Sequence, residues 1–212
     1  MITWGIVVAG GSANRFGRLK QAELLGGRRV VDWAIDSLRH VCQGVVLVVP
    51  EALISDFGAG SADVMVPGGS SRSASVRAGL AAVESTATHV LVHDGARPLA
   101  SRQVAERIVR ALGEGAVAAV PVVPVTDSLR TIGGHAVDRS NYVAVQTPQG
   151  FDLGALRQAH ESGLDATDDA SLFDALDLGV SHVSGDPTNL KITNPMDLAV
   201  AEALLTGQGG NI

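Results

Sequence analysis

Short runs rich in valine, isoleucine and leucine alternate along this chain with segments of amphipathic helical period, and no other feature constrains the fold as tightly. Strands that read as continuous apolar runs are covered on both faces, and helices between them supply the cover, so the pattern is that of an α/β protein with a mostly parallel sheet. The expected strands are Thr3–Val8, Gly44–Val49, Val64–Met65, His89–Val92, Ala116–Val122 and Val143–Val145. Helices are expected over Val30–Leu38, Ser71–Ala82, Arg102–Leu112, Leu153–His160 and Pro195–Leu205, the last opened by Asn194 as cap and Pro195 in the first turn. With 212 residues, 46% of them hydrophobic, the chain can bury a full core as one domain, residues 1–212, and it carries no internal repeat, low-complexity tract or linker.

One segment breaks the alternation. Residues 126–145 hold two polar, β-prone runs about Gly133-Gly134, a dipeptide suited to a hairpin turn. A two-stranded arm is marginal alone in water, so it packs either on a partner subunit, the favoured expectation, or back on its own domain.

Composition excludes several partners. A formal net charge of −6 and an aromatic content of 3% speak against a nucleic-acid surface, so any phosphate must be held by a local basic pocket. The most apolar run, Ala116 to Val125, is too short to span a bilayer, and no membrane partner is expected. Cys42 is the sole cysteine and the N-terminus enters a strand without a basic leader, which points to a reducing cytoplasm.

The chemistry-bearing residues fall just after strands, where ligands bind in open α/β sheets. After the first strand come Ala9-Gly10-Gly11-Ser12-Ala13-Asn14-Arg15 and then Lys20-Gln21, a small-residue turn with two cations. Its N–H groups can converge on an anion while Arg15 and Lys20 add full charge; equally, the glycines can simply turn the chain. The spacing fits neither a Walker loop, since Arg18-Leu19-Lys20 follows Gly17, nor a G-x-G-x-x-G dinucleotide fingerprint. Gly68-Gly69-Ser70-Ser71-Arg72 precedes a helix whose N-terminus attracts anions, or is an ordinary helix cap. His93-Asp94-Gly95-Ala96-Arg97-Pro98 places a carboxylate at a strand end, where it can hold Mg²⁺ or pair with Arg97. In Asp165-Ala166-Thr167-Asp168-Asp169 the acids read best as helix caps, with Thr167 free to donate to a phosphate, and Lys191 between apolar neighbours reads as a surface lysine.

Taken in order, these elements resemble the 2-C-methyl-D-erythritol 4-phosphate cytidylyltransferase family over nearly the whole chain. Its pattern A-A-G-x-G-x-R, K-Q, G-G-x-x-R-x-x-S-V, H-D-A-A-R-P, D-T, D-R, T-P-Q-x-F, T-D-x-A-S and N-x-K-x-T is matched here by Ala9 to Arg15, Lys20-Gln21, Gly68 to Val76, His93 to Pro98, Asp127-Ser128, Asp138-Arg139, Thr147 to Phe151, Thr167 to Ser171 and Asn189 to Thr193. The resemblance implies a three-layer α/β/α, Rossmann-like nucleotidyltransferase fold whose β-arm clasps a twin subunit. It further implies CTP as co-substrate, read by Ala9, Gly10, Gly11, Gly69, Ser70, Ser75 and Gly95, and Mg²⁺ at Asp94. Arg15 and Lys20 map to the cations that stabilise the transition state, and Arg139 and Lys191 to those that position the acceptor phosphate. Asp94, Ser128, Thr147 and Thr167 complete the acceptor site, with Ser128 and Arg139 reaching into the neighbour's site.

The chain departs from the family pattern at Ala13, in place of the second glycine, at Leu19, in place of a proline, in a shortened Arg15–Lys20 loop and at Ser128, in place of a threonine. Two rival readings stay open: a cytidylyltransferase acting on ribitol 5-phosphate, and a non-catalytic nucleotide-binding relative.

Overall fold

The computed structural model describes residues 1–10, 20–58, 60–161 and 163–207. Its centre is strand β1 (Thr3–Val8), buried at every position and hydrogen-bonded in parallel to β4 (Gly44–Val49) on one side and β6 (His89–Asp94) on the other. Strand β5 (Val64–Pro67) extends the sheet beyond β4, again in parallel. Beyond β6 the direction changes. There β11 (Gln149–Asp152) runs antiparallel between β6 and β7 (Ala118–Pro124), β12 (Ser181–Ser184) joins β7 in parallel, and β10 (Val143–Val145) joins it antiparallel.

The pleat explains why apolar runs were needed. Ile6, Val8, Val46, Val48, Val90 and Val92 point to one face, into a cluster with α3 (Arg72–Ala82), α5 (Leu153–Glu161) and α6 (Ala170–Asp174). Val7, Val45, Leu47 and Leu91 point to the other, against α1 (Val30–Arg39) and α4 (Arg102–Gly113). Alternate residues of one strand thus serve two cores, the requirement for a sheet sandwiched between helical layers. A third, smaller cluster of Leu25, Val30, Ile192 and Ala201 seats α7 (Pro195–Gly207). That helix starts as expected: the Asn194 side chain accepts from the Asp197 N–H at 3.1 Å, and Asp197 accepts in return from Asn194 and Thr193. Among the described residues no helix is long and apolar enough to cross a membrane.

The structure extends several expected elements and adds others. Strand β6 runs on to Asp94 and β5 to Pro67, whereas β7 begins at Ala118 rather than Ala116 and continues to Pro124. Ser71 is the cap of α3, not its first residue, its hydroxyl accepting from Ala74 N–H at 3.1 Å. Strands β11 and β12 lay outside the sequence reading, as did the small hairpin of β2 (Leu24–Leu25) with β3 (Arg28–Arg29) and the short helix α2 (Ile54–Phe57). The stretches Gln-Gly-Phe-Asp and Ser-His-Val-Ser lack an apolar run of their own, and are held in the sheet by neighbours already in place.

The expected hairpin is present. β8 (Leu129–Arg130) pairs antiparallel with β9 (Ala136–Val137), and Gly134 takes the turn at φ +88°, a conformation that disfavours a side chain. Its second flank does not stay in the arm: after one 3-10 turn at Arg139–Asn141, β10 returns to the main sheet beside β7. The hairpin tip is solvent-exposed with Ile132 beside it, and Tyr142, Val143 and Val145 are exposed apolar side chains where the chain rejoins the sheet.

Candidate active site

Asp94, the last residue of β6, is the hub of the site. It is buried beside three cations: Lys191 Nζ lies 2.6 Å from one carboxylate oxygen, Arg97 Nε lies 3.9 Å from the same oxygen, and Arg72 Nε lies 3.5 Å from the other. Burial alone would raise the carboxyl pKa, but Lys191 and Arg72, with Arg97 behind them, overcome it and hold the group well below the usual carboxylate range. Asp94 is therefore an anion throughout the neutral range. The expected Asp94–Arg97 pair exists, yet Lys191 is the closer partner: it is exposed, as a surface lysine should be, but its Nζ is turned onto Asp94.

Lys191 is placed by its neighbours. Asn189, fully buried, donates from its side chain to the Thr147 carbonyl at 2.9 Å, while its own carbonyl accepts from Arg97 at 2.7 Å. Ile192 N–H donates to the Ala96 carbonyl at 2.8 Å, and its side chain is fully buried in the third cluster. Burying a side chain of that size contributes on the order of 2 kcal/mol, so the segment is pinned on both sides of the lysine. The Asn-x-Lys spacing is the visible trace of that pinning.

Arg72, to which the sequence pattern assigns no role, is the first residue of α3. Its Nη1 donates at 2.8 Å to Asp169, and Asp169 also accepts from His160 Nε2 at 3.0 Å. Burial works against the Arg72 charge, but Asp169 and Asp94 outweigh it and raise its pKa. Asp169 stands at the N-cap position of α6, but its side chain is spent as a buried counter-ion, and it is Asp168 whose carboxylate accepts from Ser171 N–H at 3.2 Å, while also accepting from the Gln149 side chain at 2.8 Å. The acids of one short run have two different jobs because one faces the interior and the other the helix end.

His93 is fully buried, and its Nδ1 lies 2.9 Å from the Thr147 hydroxyl while its Nε2 lies 3.1 Å from the Arg97 carbonyl. Burial, together with Arg97 and Lys191, lowers its pKa to about 4 despite the opposing pull of Asp94. The Thr147 hydroxyl also accepts from Asp94 N–H at 3.0 Å, tying the end of β6 to the link between β10 and β11.

Together Arg72, Asp94, Arg97, Thr147, Thr167 and Lys191 line a crevice of about 440 Å³. At the ends of β1 and β5 lie Ala9, Gly10, Gly69 and Ser70, with Ser75 facing Gly10 from the first turn of α3, and Gly95 N–H donates to Val8 O at 2.9 Å where β6 meets β1. Gly69 is held close: a Cβ there would come within 2.4 Å of that of Ala74 in the first turn of α3. Ser75 donates to the Ser71 carbonyl at 2.9 Å, and Gln21 reaches Gly10 O at 3.5 Å, which brings the Lys20-Gln21 turn to the same end of the sheet. Gly11, Ala13, Arg15 and Leu19 lie outside the described residues. Ser128 and Arg139 are exposed on the hairpin side, where Arg139 donates to the Thr126 carbonyl, and neither lines the crevice of its own chain.

Among the described residues no cluster of three or more His, Cys, Asp or Glu could cage a metal ion. A single strand-end carboxylate suits Mg²⁺ carried mainly by substrate phosphates, provided Lys191 yields its contact with Asp94.

A cation-fenced carboxylate lies at the carboxyl edge of this sheet beside glycine-bordered strand ends, and the solved structure that the fold matches makes the chain an α/β nucleotidyltransferase. The structure of 2-C-methyl-D-erythritol 4-phosphate cytidylyltransferase from Thermus thermophilus superposes with a TM-score of 0.84 at 38% identity, covering 97% of this chain and 100% of that one. In sequence the chain is 42% identical over 214 residues to the enzyme of that name from Rhodococcus jostii, and 40% identical over 208 residues to that from Thermus thermophilus. Each alignment covers 94% of this chain, with 93% and 95% of the respective relatives. The model of the IspD family, 2-C-methyl-D-erythritol 4-phosphate cytidylyltransferase, matches residues 3–207, and the chain belongs to that family. It is by membership a cytidylyltransferase.

Proposed function

We propose that this chain transfers CMP from CTP to 2-C-methyl-D-erythritol 4-phosphate in isoprenoid biosynthesis, releasing pyrophosphate and forming 4-diphosphocytidyl-2-C-methyl-D-erythritol. The observation that carries the reading is Lys191 held 2.6 Å from Asp94 at the strand end, beside the glycine-bordered ends of β1 and β5. An oxygen of the acceptor's phosphate attacks the α-phosphorus of CTP, the new P–O bond forms, and the bond to the bridging oxygen breaks with both electrons leaving on pyrophosphate. The nucleophile is already anionic, so the protein's work is positioning and charge stabilisation.

Arg15 and Lys20 are assigned to the charge developing on the triphosphate. Lys191 and Arg139 hold the acceptor's phosphate, and Ser128, Thr147 and Thr167 its polyol. Ala9, Gly10, Gly11, Gly69, Ser70, Ser75 and Gly95 border the cytidine. Asp94 would hold a Mg²⁺ once Lys191 turns from it to the acceptor's phosphate, and that ion would neutralise charge on the phosphates. Because Ser128 and Arg139 stand away from the crevice of their own chain, they are assigned to a second subunit's site, which makes the working unit a homodimer joined through the hairpin. The chain is assigned to a reducing cytoplasm, where the buried Cys42 thiol, pushed up to about 12 by burial, stays unreactive.

The test is pyrophosphate release from CTP and Mg²⁺, with 2-C-methyl-D-erythritol 4-phosphate and ribitol 5-phosphate offered separately. Release with the first alone is the expected result. Release with ribitol 5-phosphate alone, or CTP binding with no release from either acceptor, overturns the reading.

A further inference from the structure

His93 and Thr147 form a hydrogen-bond chain whose direction is set by its ends. At one end stands the Arg97 carbonyl, which can only accept, so the His93 Nε2 that lies 3.1 Å from it carries the hydrogen. The ring is fully buried, and neither nitrogen meets a carboxylate: its two partners are that carbonyl and a hydroxyl. A neutral ring with hydrogen on Nε2 has only a lone pair at Nδ1, and the Thr147 hydroxyl 2.9 Å away must therefore donate to it. The same hydroxyl oxygen accepts from the backbone N–H of Asp94 at 3.0 Å. Its one hydrogen and one of its two lone pairs are spent inside the protein. What Thr147 can still offer the crevice it lines is a single lone pair.

We propose that His93 is a positioning residue that fixes the polarity of Thr147, making it an obligate hydrogen-bond acceptor that selects a substrate hydroxyl and cannot serve a phosphate oxygen. This rests on the reading of the acceptor as a polyol phosphate, and it divides the labour within that ligand: the cations take the phosphate and Thr147 takes an O–H of the polyol. A phosphate oxygen turned toward Thr147 would set lone pair against lone pair. A mis-seated acceptor, rotated end for end, is thereby penalised as well as the correct one rewarded.

The polarity can be read directly. In protein labelled with ¹⁵N at histidine, the His93 ring at neutral pH is expected to show hydrogen on Nε2 and a bare Nδ1; hydrogen on Nδ1, in either the other tautomer or the imidazolium, overturns the proposal. The consequence for specificity is read from kcat/KM for pyrophosphate release with acceptor analogues in which each hydroxyl in turn is replaced by hydrogen or by fluorine. At one position the fluoro analogue, which can accept but not donate, should be at least as poor as the deoxy analogue, each losing roughly tenfold to a hundredfold. Thr147→Val should abolish that loss at the same position. An asparagine amide overlays the Nδ1 end of an imidazole and a glutamine amide the Nε2 end, so His93→Asn should retain the discrimination and His93→Gln should relax it in favour of the fluoro analogue, whatever either costs in melting temperature. Fluoro analogues outperforming deoxy ones in the unmutated enzyme, or identical profiles in His93→Gln and the parent, overturn the assignment. If the unmodified acceptor itself gives no pyrophosphate, the functional reading fails, and the ring's polarity is still judged by the nitrogen spectrum alone.

Discussion

Several residues of this site are charged or neutral because of what surrounds them, and their removal should report that. Arg15→Ala and Lys20→Ala should each lower turnover by about 10²–10³ while leaving the fold intact, as loss of a transition-state charge contact does; near-normal turnover in both would refute the roles assigned. Asp169→Asn should behave differently. It takes from Arg72 the nearer of two buried counter-ions, at 2.8 Å, leaving Asp94 at 3.5 Å, and loosens His160, so the cost should stay below the roughly 3–5 kcal/mol of a buried charge left wholly unpaired, readable as a shifted urea midpoint. His93 gives a pH signature. With its pKa lowered from 6.5 to about 4 in the folded chain, the unfolded chain binds a proton that the native one refuses, so stability should fall as pH drops from about 6.5 to 4. The full loss is on the order of 3 kcal/mol, and acid from Asp94 enters only below its ordinary value of 3.8. His89, also lowered by burial, slopes the same way, so the comparison to make is His93→Asn against His89→Asn across that window. A flat profile in the parent protein would contradict the buried, neutral ring.

At the scale of elements, the sequence was most legible where a segment's own composition decided its structure. The runs Thr3–Val8 and Gly44–Val49 have no polar alternative to burial, and the Asn194-Pro195 start of α7 is a local device that works as drawn. Asn194→Ala should accordingly cost about 1 kcal/mol in chemical denaturation, with no change in turnover. Where neighbours decide, the signal faded. Strand β11 is extended because β6 and β7 flank it, not because Gln149-Gly150-Phe151-Asp152 favours extension, and the pinning of Lys191 depends on Asn189 meeting residues distant in sequence. The cations of the site were visible as residue types in a family-like order. That Arg72 and Asp169 form a buried pair behind Asp94, and that His93 has a defined hydrogen, were not, since both depend on contacts between segments that only the folded chain brings together.

For the whole molecule, the open question is how many chains make one site. If Arg139 serves a partner's crevice and Lys191 its own, mixing Arg139→Ala with Lys191→Ala subunits should restore activity to about one quarter of the parent level, since half the dimers are then mixed and one of their two sites is intact. No recovery on mixing would place both residues in the same chain's site. The hairpin's footing bears on this. The chain leaves β7 at Pro124 and comes back at Val143, and these two residues are direct register partners. The excursion is therefore a closed loop with its ends already side by side, an insertion the sheet does not need for its own continuity. Residues 126–141 can in consequence be exchanged for a short turn without redrawing the sheet, leaving the crevice walls in place. The hairpin is in that sense portable: what it reaches for can be varied independently of the core that carries it.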